Sequence, residues 1–156
     1  MLGFFYSDEV EDVIGNQGLW DQALALEWIN ENIRYFGGNP KQVTIMGESA
    51  GSWSASLHIV SPIARNLFQN AIMMSGAAIN DKLVAQPEQY VFNVLSGIRK
   101  IGCATEEDQA ISRKVVECLE NLDASSVEQI AWFIDRDQYG KNLIFLSFPL
   151  TSFYYG

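Results

Sequence analysis

The sequence predicts an α/β fold, with a mostly parallel sheet in its first half and additional helices in its second half. Segments with helical and with strand periodicity alternate from residue 19 to residue 75, an order typical of parallel β/α units. The chain has 156 residues, 48% of them hydrophobic, so it can bury a domain-sized core. We therefore expect core β/α units in residues 1–78 and a mostly helical section in residues 79–156.

The first predicted elements are a short apolar segment and a long helix. Residues 1–7 are apolar and aromatic, which predicts one buried strand or its tail, and the acidic stretch Asp8–Asp12 predicts a solvated loop. From Leu19 to Phe36, apolar residues recur at helical spacing and predict an amphipathic helix. Its apolar face should carry Trp20, Leu24 and Trp28 on one line, with Leu26, Ile29 and Ile33 beside it. The segment Gly37-Gly38-Asn39-Pro40 should end the helix, because Gly accepts positive φ and Pro disfavours helix in the residue before it.

A strand, a helix and a second strand follow. Val43–Met46 is a short β-branched run that predicts a buried strand, and Ala71–Met74 predicts a second one. Between them, the apolar residues of Ser52–Val60 predict a helix that Ser61-Pro62 ends. Because a helix connects the two strands, they are predicted to pair in parallel.

The second half is predicted to contain three helices with polar faces, at Pro87–Ile101, Asp108–Leu119 and Ser125–Phe133. Asp108 is the expected N-cap of the second helix, and Ser125 with Glu128 fits a capping box for the third. The segment Leu143–Tyr155 is apolar and aromatic and has no stop signal after it, so the chain is expected to be cut at both ends.

Composition excludes several classes of function. There are 19 acidic against 10 basic residues, a formal net charge of -9, and no Lys/Arg cluster offsets it. Nucleic-acid binding and docking on an anionic membrane are therefore not expected. No apolar run approaches the ~18 residues of a membrane span, and the start of the chain lacks the features of a signal peptide.

The stretch Thr44–Gly51, TIMGESAG, contains the pattern G-x-S-x-G between the predicted strand and helix. A serine becomes an effective nucleophile when a base takes its proton and donors stabilise the oxyanion. On a sharp strand-to-helix turn the positions two before and two after the serine must be small, and here they are Gly47 and Gly51. The backbone N–H of Ala50, after Ser49, would be one oxyanion donor. The alternative is a Gly-rich turn in which Ser49 caps the helix.

The flanking residues carry a family resemblance. The segment Phe36–Gly51, FGGNPKQVTIMGESAG, resembles the nucleophile signature of the type-B carboxylesterase and cholinesterase family. Gly15–Trp28 looks like the helix that precedes this signature, and His58–Pro62 and Phe68–Gly76 are similar to the helix and strand that follow it. The match runs unbroken from about Leu2 to Ala78 and is weak afterwards, except at the cysteines. It implies that residues 1–156 are part of one α/β-hydrolase domain.

The resemblance implies hydrolysis of carboxylic esters through an acyl-enzyme on Ser49, with the Ala50 N–H as an oxyanion donor and Glu48 as a buried supporting acid. It implies no cofactor and no metal. The family's triad acid, its His base and its Gly-rich oxyanion loop lie outside these residues. The sole histidine, His58, is nine residues beyond Ser49 on the same predicted helix and is expected to be structural. The isolated chain is therefore expected to be inactive.

Cys103 and Cys118 are the two cysteines. Spacing alone favours two reduced thiols on neighbouring helices, whereas the resemblance implies that they form a disulfide. Such a bond would place the protein in an oxidising compartment, secreted or ER-luminal.

Two functions are therefore weighed: a serine carboxylesterase, and a non-catalytic adhesion or partner-binding protein of the same fold. The intact elbow at Ser49 favours the enzyme, since the adhesion proteins typically lack the nucleophile. Its substrate would be a small carboxylic ester, and choline, short aliphatic and lipid esters all stay open. Aromatic residues such as Trp53 could line a substrate gorge, although the core is their commoner place.

Overall fold

The computed structural model of the chain describes residues 2–7, 9–79, 84–85, 87–138 and 148–149. Contacts group the described residues into two compact units, one of residues 2–17 with 84–149 and the other of residues 18–79. The assignment of the whole chain to one domain, with a boundary near residue 78, stays a prediction.

The unit of residues 18–79 contains alternating helices and strands, as predicted. Helix α1 spans Gln17–Asn32 and continues as a 3-10 helix over Ile33–Phe36, after which come strand β1 (Thr44–Glu48), helix α2 (Ala50–Val60) and strand β2 (Asn70–Met74). The strands pair in parallel, in a register that runs from Thr44 opposite Asn70 to Glu48 opposite Met74. The predicted parallel β/α units are therefore confirmed, with element ends shifted by one or two residues. The prediction that both strands are buried is wrong: Met46 and Ile72 are 66% and 49% exposed, because the described sheet has two strands and little packs on its faces.

Helix α1 ends where the sequence predicts. Gly37 follows the 3-10 turn with φ 81°, and its N–H donates to the carbonyls of Ile33 and Arg34. This left-handed conformation is strained for residues with a side chain, so Gly at this position ends the helix at little cost.

The predicted apolar face of α1 is wrong in part. Its buried residues are Leu19, Ala23 and Leu26, whereas Leu24 and Trp28 are 64% and 52% exposed. The buried line is rotated from the predicted one because Leu26 packs with Ala64 and Phe68 of the segment after α2. Trp28 instead contacts Phe36, with the ring centroids 5.9 Å apart.

The other unit is mostly helical. It contains the short strand β3 (Val84–Ala85), helices α3 (Pro87–Lys100), α4 (Arg113–Glu120) and α5 (Ala124–Gln138), and strand β4 (Phe148–Pro149), which pairs in parallel with β3. Its core is apolar and fully buried at Ile98, Ile111 and Ile130. Helices α3 and α5 cross closely at Gly97, where a Cβ would lie 2.7 Å from Cγ2 of Ile130.

The predicted N-terminal strand is wrong. Leu2–Phe4 form a 3-10 helix, and beyond it Tyr6 makes a single antiparallel bridge to Ile14. Tertiary hydrogen bonds replace a strand ladder here: the Tyr90 hydroxyl donates to the Phe4 carbonyl at 2.7 Å and Gln17 Nε2 donates to the Phe5 carbonyl at 2.8 Å. The acidic residues that follow are exposed, as expected of a solvated loop, at Glu9, Glu11 and Asp12.

Both predicted helix caps in the second half are wrong. Helix α4 begins at Arg113, and the Asp108 carboxylate instead accepts hydrogen bonds from the N–H and hydroxyl of Thr105, at 2.7 and 2.8 Å. At α5 the capping carboxylate is Asp123, which accepts the Ser126 N–H at 3.0 Å. Asp108 therefore stabilises a local turn before α4, whereas Asp123 caps α5 in place of Ser125. The predicted apolar segment Leu143–Tyr155 lies outside the described residues except for Phe148–Pro149.

Candidate active site

Ser49 lies on the one-residue turn between β1 and α2. Its backbone has φ 54° and ψ -116°, a conformation outside the regions that residues with a Cβ normally populate. Hydrogen bonds hold it on both sides: its N–H donates to the Met74 carbonyl at 2.9 Å, and its carbonyl accepts the Trp53 N–H at 3.1 Å. The strand and the helix together therefore hold a strained serine at the carboxyl end of the sheet.

The Ser49 side chain is not used to cap the helix. Although Ser49 occupies the residue immediately before α2, its hydroxyl makes no capping hydrogen bond. A capping serine normally has an extended backbone, and its oxygen accepts an N–H of the first turn. The geometry of Ser49 differs from that alternative in both respects.

Gly47 is required by the close approach of α2 to β1. A Cβ at this position would overlap the carbonyl group of Gly51 and lie 2.7 Å from the Ser52 amide nitrogen. At Gly51, by contrast, a Cβ would meet no described atom within 4 Å apart from its chain neighbours and the backbone of its own helix turn. The described residues therefore give a steric reason for a small residue at Gly47 and none at Gly51, where the requirement stays a prediction.

Ala50 and Glu48 flank the serine. Ala50 is the first residue of α2, and N–H groups of a first helical turn have no acceptor within their own helix. Its N–H and the positive end of the helix dipole can stabilise an anion beside Ser49. Glu48 is the last residue of β1 and is exposed, not buried as the resemblance implies, because the described sheet has two strands and leaves this edge uncovered.

His58 lies in the last turn of α2 and is 3% exposed. Its Nε2 is 2.9 Å from Oε1 of Gln22, and since an amide oxygen can only accept, Nε2 carries the proton. Burial lowers the pKa of His58 below its ordinary value. His58 lies nine positions after Ser49 along the helix, an axial distance of about 13 Å. The histidine is therefore held within the packing of α1 and α2 and cannot reach the Ser49 hydroxyl.

The predicted disulfide is confirmed. Cys103, in the turn after α3, is bonded to Cys118 in α4, with their Cα atoms 5.5 Å apart. Part of the helical core packs against both residues. The bond therefore ties the loop between α3 and α4 to the folded unit.

The sequence pattern missed two residues that lie beside the elbow. Ser75 follows β2 with φ 61°, a positive φ like that of Ser49, and Gly76 comes next. Parallel strands end at the same edge of a sheet, so the residues after the second strand are expected to lie beside those after the first. The position of Met74-Ser75-Gly76 at the end of the second strand could therefore have predicted that Ser75 and Gly76 lie beside Ser49. Trp53, in contrast, is buried as a core residue.

Metal and membrane sites have no support in the described residues. In the described parts of the chain, no group of three or more His, Cys, Asp or Glu is placed to hold a metal ion. Over the same residues, no helix combines the length and apolar character needed to cross a membrane.

Comparison with known proteins identifies the family of the chain. The model of the carboxylesterase family matches residues 1–150. The chain is 42% identical to cholinesterase 1 of Branchiostoma lanceolatum over 132 residues, which are 84% of this chain and 36% of that protein. It is 43% identical to acylcarnitine hydrolase of Mus musculus over 113 residues (72% of this chain, 20% of that protein) and 38% identical to acetylcholinesterase of Danio rerio over 131 residues (84% and 20%). The chain thus spans between a fifth and about a third of these relatives. It belongs to the carboxylesterase family, and its fold class is that of the α/β-hydrolases.

Proposed function

We propose that Ser49 is the nucleophile of a serine hydrolase that cleaves carboxylic esters. The observation that carries this proposal is the strained backbone of Ser49 between β1 and α2, which leaves its hydroxyl unused by the helix. Family membership supports it, and so do the names of the relatives, which include cholinesterases, an acylcarnitine hydrolase and a pyrethroid hydrolase.

The reaction would proceed in two steps. The Ser49 Oγ gives its proton to a base and bonds to the ester carbonyl carbon, and the carbonyl oxygen becomes an oxyanion. The Ala50 N–H, at the positive end of α2, donates to that oxyanion. When the tetrahedral intermediate collapses, the C–O bond breaks and the alcohol leaves with the proton from the base. Water then attacks the acyl-enzyme by the same route and releases the carboxylic acid.

The 156 residues contain the proposed nucleophile, Ser49, but no histidine that can act as its base. The sole histidine is His58, which is buried, bonded to Gln22 and about 13 Å along the helix from Ser49. We therefore propose that the triad acid, the His base and a Gly-rich oxyanion loop come from residues outside this chain, within one α/β-hydrolase domain of the full-length protein. On this account the 156-residue chain alone does not turn over esters.

The substrate is proposed at the level of a small carboxylic ester. The relatives' names cover choline, carnitine and pyrethroid esters, so the family does not narrow the class further. The Cys103–Cys118 disulfide supports an oxidising location, secreted or ER-luminal. Titration of the native full-length protein should find neither of these thiols free, and finding both free would overturn the location.

The experiment that tests the function compares Ser49→Ala with Ser54→Ala in the full-length protein. Ser54 lies on the same helix, and its hydroxyl donates to the Ala50 carbonyl within that helix at 3.0 Å. Hydrolysis of a p-nitrophenyl ester should fall by more than about 10³-fold in Ser49→Ala and much less in Ser54→Ala. Retained hydrolysis in Ser49→Ala would refute the assignment, and an inactive wild type would favour the non-catalytic binding protein.

A further inference from the structure

Ser52 makes a hydrogen bond unlike those of the other buried serines of α2. Its hydroxyl, in a residue that is 0% exposed, donates to the Gly76 carbonyl at 2.7 Å, across 24 residues of sequence. Ser54 and Ser56 are also buried, yet their hydroxyls donate to carbonyls of their own helix, those of Ala50 and Trp53. Ser52 therefore joins the first turn of α2 to the segment that follows β2.

Gly76 lies so close to the elbow that no side chain fits there. A Cβ at this position would lie 2.6 and 2.7 Å from Cδ1 and Nε1 of the Trp53 indole, and 3.0 Å from the Ser49 carbonyl oxygen. Real Cβ atoms do not approach other atoms so closely, so glycine is required here. The backbone at Gly76 consequently contacts both the nucleophile residue and the helix that follows it.

A second link lies immediately before this contact. The Ser49 N–H donates to the Met74 carbonyl at 2.9 Å, which places the peptide before Ser49 against the last residue of β2. Between Met74 and Gly76, Ser75 has φ 61°, so the chain turns sharply at the point where it passes the elbow. The segment Met74–Gly76 thus meets the elbow at the Ser49 amide, the Ser49 carbonyl and the Ser52 hydroxyl.

We propose that Ser52 is a positioning residue for the nucleophile elbow, an inference that rests on the proposed function of Ser49. A left-handed backbone at a residue with a side chain persists only when its surroundings over-determine it. The Ser52 hydroxyl supplies the link that holds segment Met74–Gly76 against α2. Without that link the segment can separate from α2, and the Ser49 Oγ and Ala50 N–H lose their relative placement. Ser52 touches no reacting atom in this account.

The test uses the full-length protein and compares Ser52→Ala with Ser56→Ala. Both substitutions remove one buried hydroxyl from α2, but only the first removes a bond to the segment after β2. Displacement of reacting groups by ~1 Å can cost about 100-fold in rate. We expect fluorophosphonate labelling and kcat to fall at least tenfold in Ser52→Ala, with KM nearly unchanged, and both to stay within about twofold of wild type in Ser56→Ala.

Ser52→Cys keeps the result decisive if Ser52→Ala does not fold. Cysteine is similar in size and is a weaker donor, so Ser52→Cys should label more slowly than wild type. Equal labelling rates in wild type and Ser52→Cys, or equal losses of labelling in Ser52→Ala and Ser56→Ala, would overturn the proposal for Ser52. The proposed function of Ser49 would not be affected by that result, provided that the wild type is active. A wild type that neither labels nor hydrolyses esters would overturn both proposals.

Discussion

Gly47→Ala tests whether the approach of α2 to β1 builds the elbow. The new Cβ would overlap the Gly51 carbonyl group and lie 2.7 Å from the Ser52 nitrogen. Ordinary contact between such atoms needs ~3.5 Å, so the turn has to open by roughly 1 Å. The obstructing atoms are backbone, and no side-chain rotation can relieve the overlap. The substitution therefore acts directly on the turn that carries Ser49.

Gly47→Ala should have two effects: overpacking of the turn lowers stability, and displacement of Ser49 lowers the reaction rate. Inserting a methyl group into a filled site typically costs ~1–3 kcal/mol of unfolding free energy, and a backbone obstruction favours the upper end of that range. A shift of ~1 Å at the nucleophile can lower the reaction rate by about 100-fold. Gly51→Ala is the matched control for stability, because its Cβ meets no described atom within 4 Å outside its own helix turn and alanine favours helix over glycine by up to ~1 kcal/mol.

Denaturant unfolding and fluorophosphonate labelling of the full-length protein measure the two effects. We expect Gly47→Ala to lose both stability and labelling, and Gly51→Ala to keep or slightly raise stability. Equal losses of stability in the two variants would refute the reasoning, since the overlap exists at one position alone. Labelling of Gly47→Ala at the wild-type rate would refute it as well.

The remaining predictions concern stability. Burial lowers the pKa of His58 below the ordinary 6.5, so as the pH falls below about 6.5 the unfolded chain takes up a proton before the folded chain does, and the folded wild type loses stability. His58→Gln lacks this effect and should therefore lose less stability relative to wild type at pH 5 than at pH 7.5. An equal difference at both pH values would contradict this. Replacing Cys103 and Cys118 together by serine opens a loop with a sequence separation of 15 and should cost ~3 kcal/mol in denaturant unfolding. A cost near zero would show that the bond does not restrain the unfolded chain. Asp123→Ala should lower the melting temperature because α5 loses its capping carboxylate, whereas Glu128→Ala should not; the reverse order would support the capping box read from the sequence.

The sequence predicts the elements around Ser49 well because the signals there are local. A β-branched strand, a glycine at position 47 and a helical segment that Ser61-Pro62 ends are each recognisable within about ten residues, and together they predict β1, the elbow and α2. The helix stop at Gly37 follows from the same local rules. These features are set by residues that lie close together in the chain, including the contact of Gly47 with Gly51 and Ser52.

The features that the sequence does not predict depend on distant partners. The Ser52–Gly76 hydrogen bond and the left-handed Ser75 arise only when two parallel strands end side by side, 24 to 26 residues apart in the chain. The exposed Leu24 likewise reflects which side of α1 finds a partner, because helical spacing alone does not say which of two adjacent apolar lines is buried.

Identifying which serine a fluorophosphonate modifies tests most directly the central claim that Ser49 is the nucleophile. Peptide mass spectrometry of the labelled full-length protein should locate the adduct on Ser49. Neither Ser52 nor Ser75, its neighbours in the fold, should carry an adduct. An adduct on another serine, or an unmodified Ser49 in a protein that hydrolyses esters, would contradict the account.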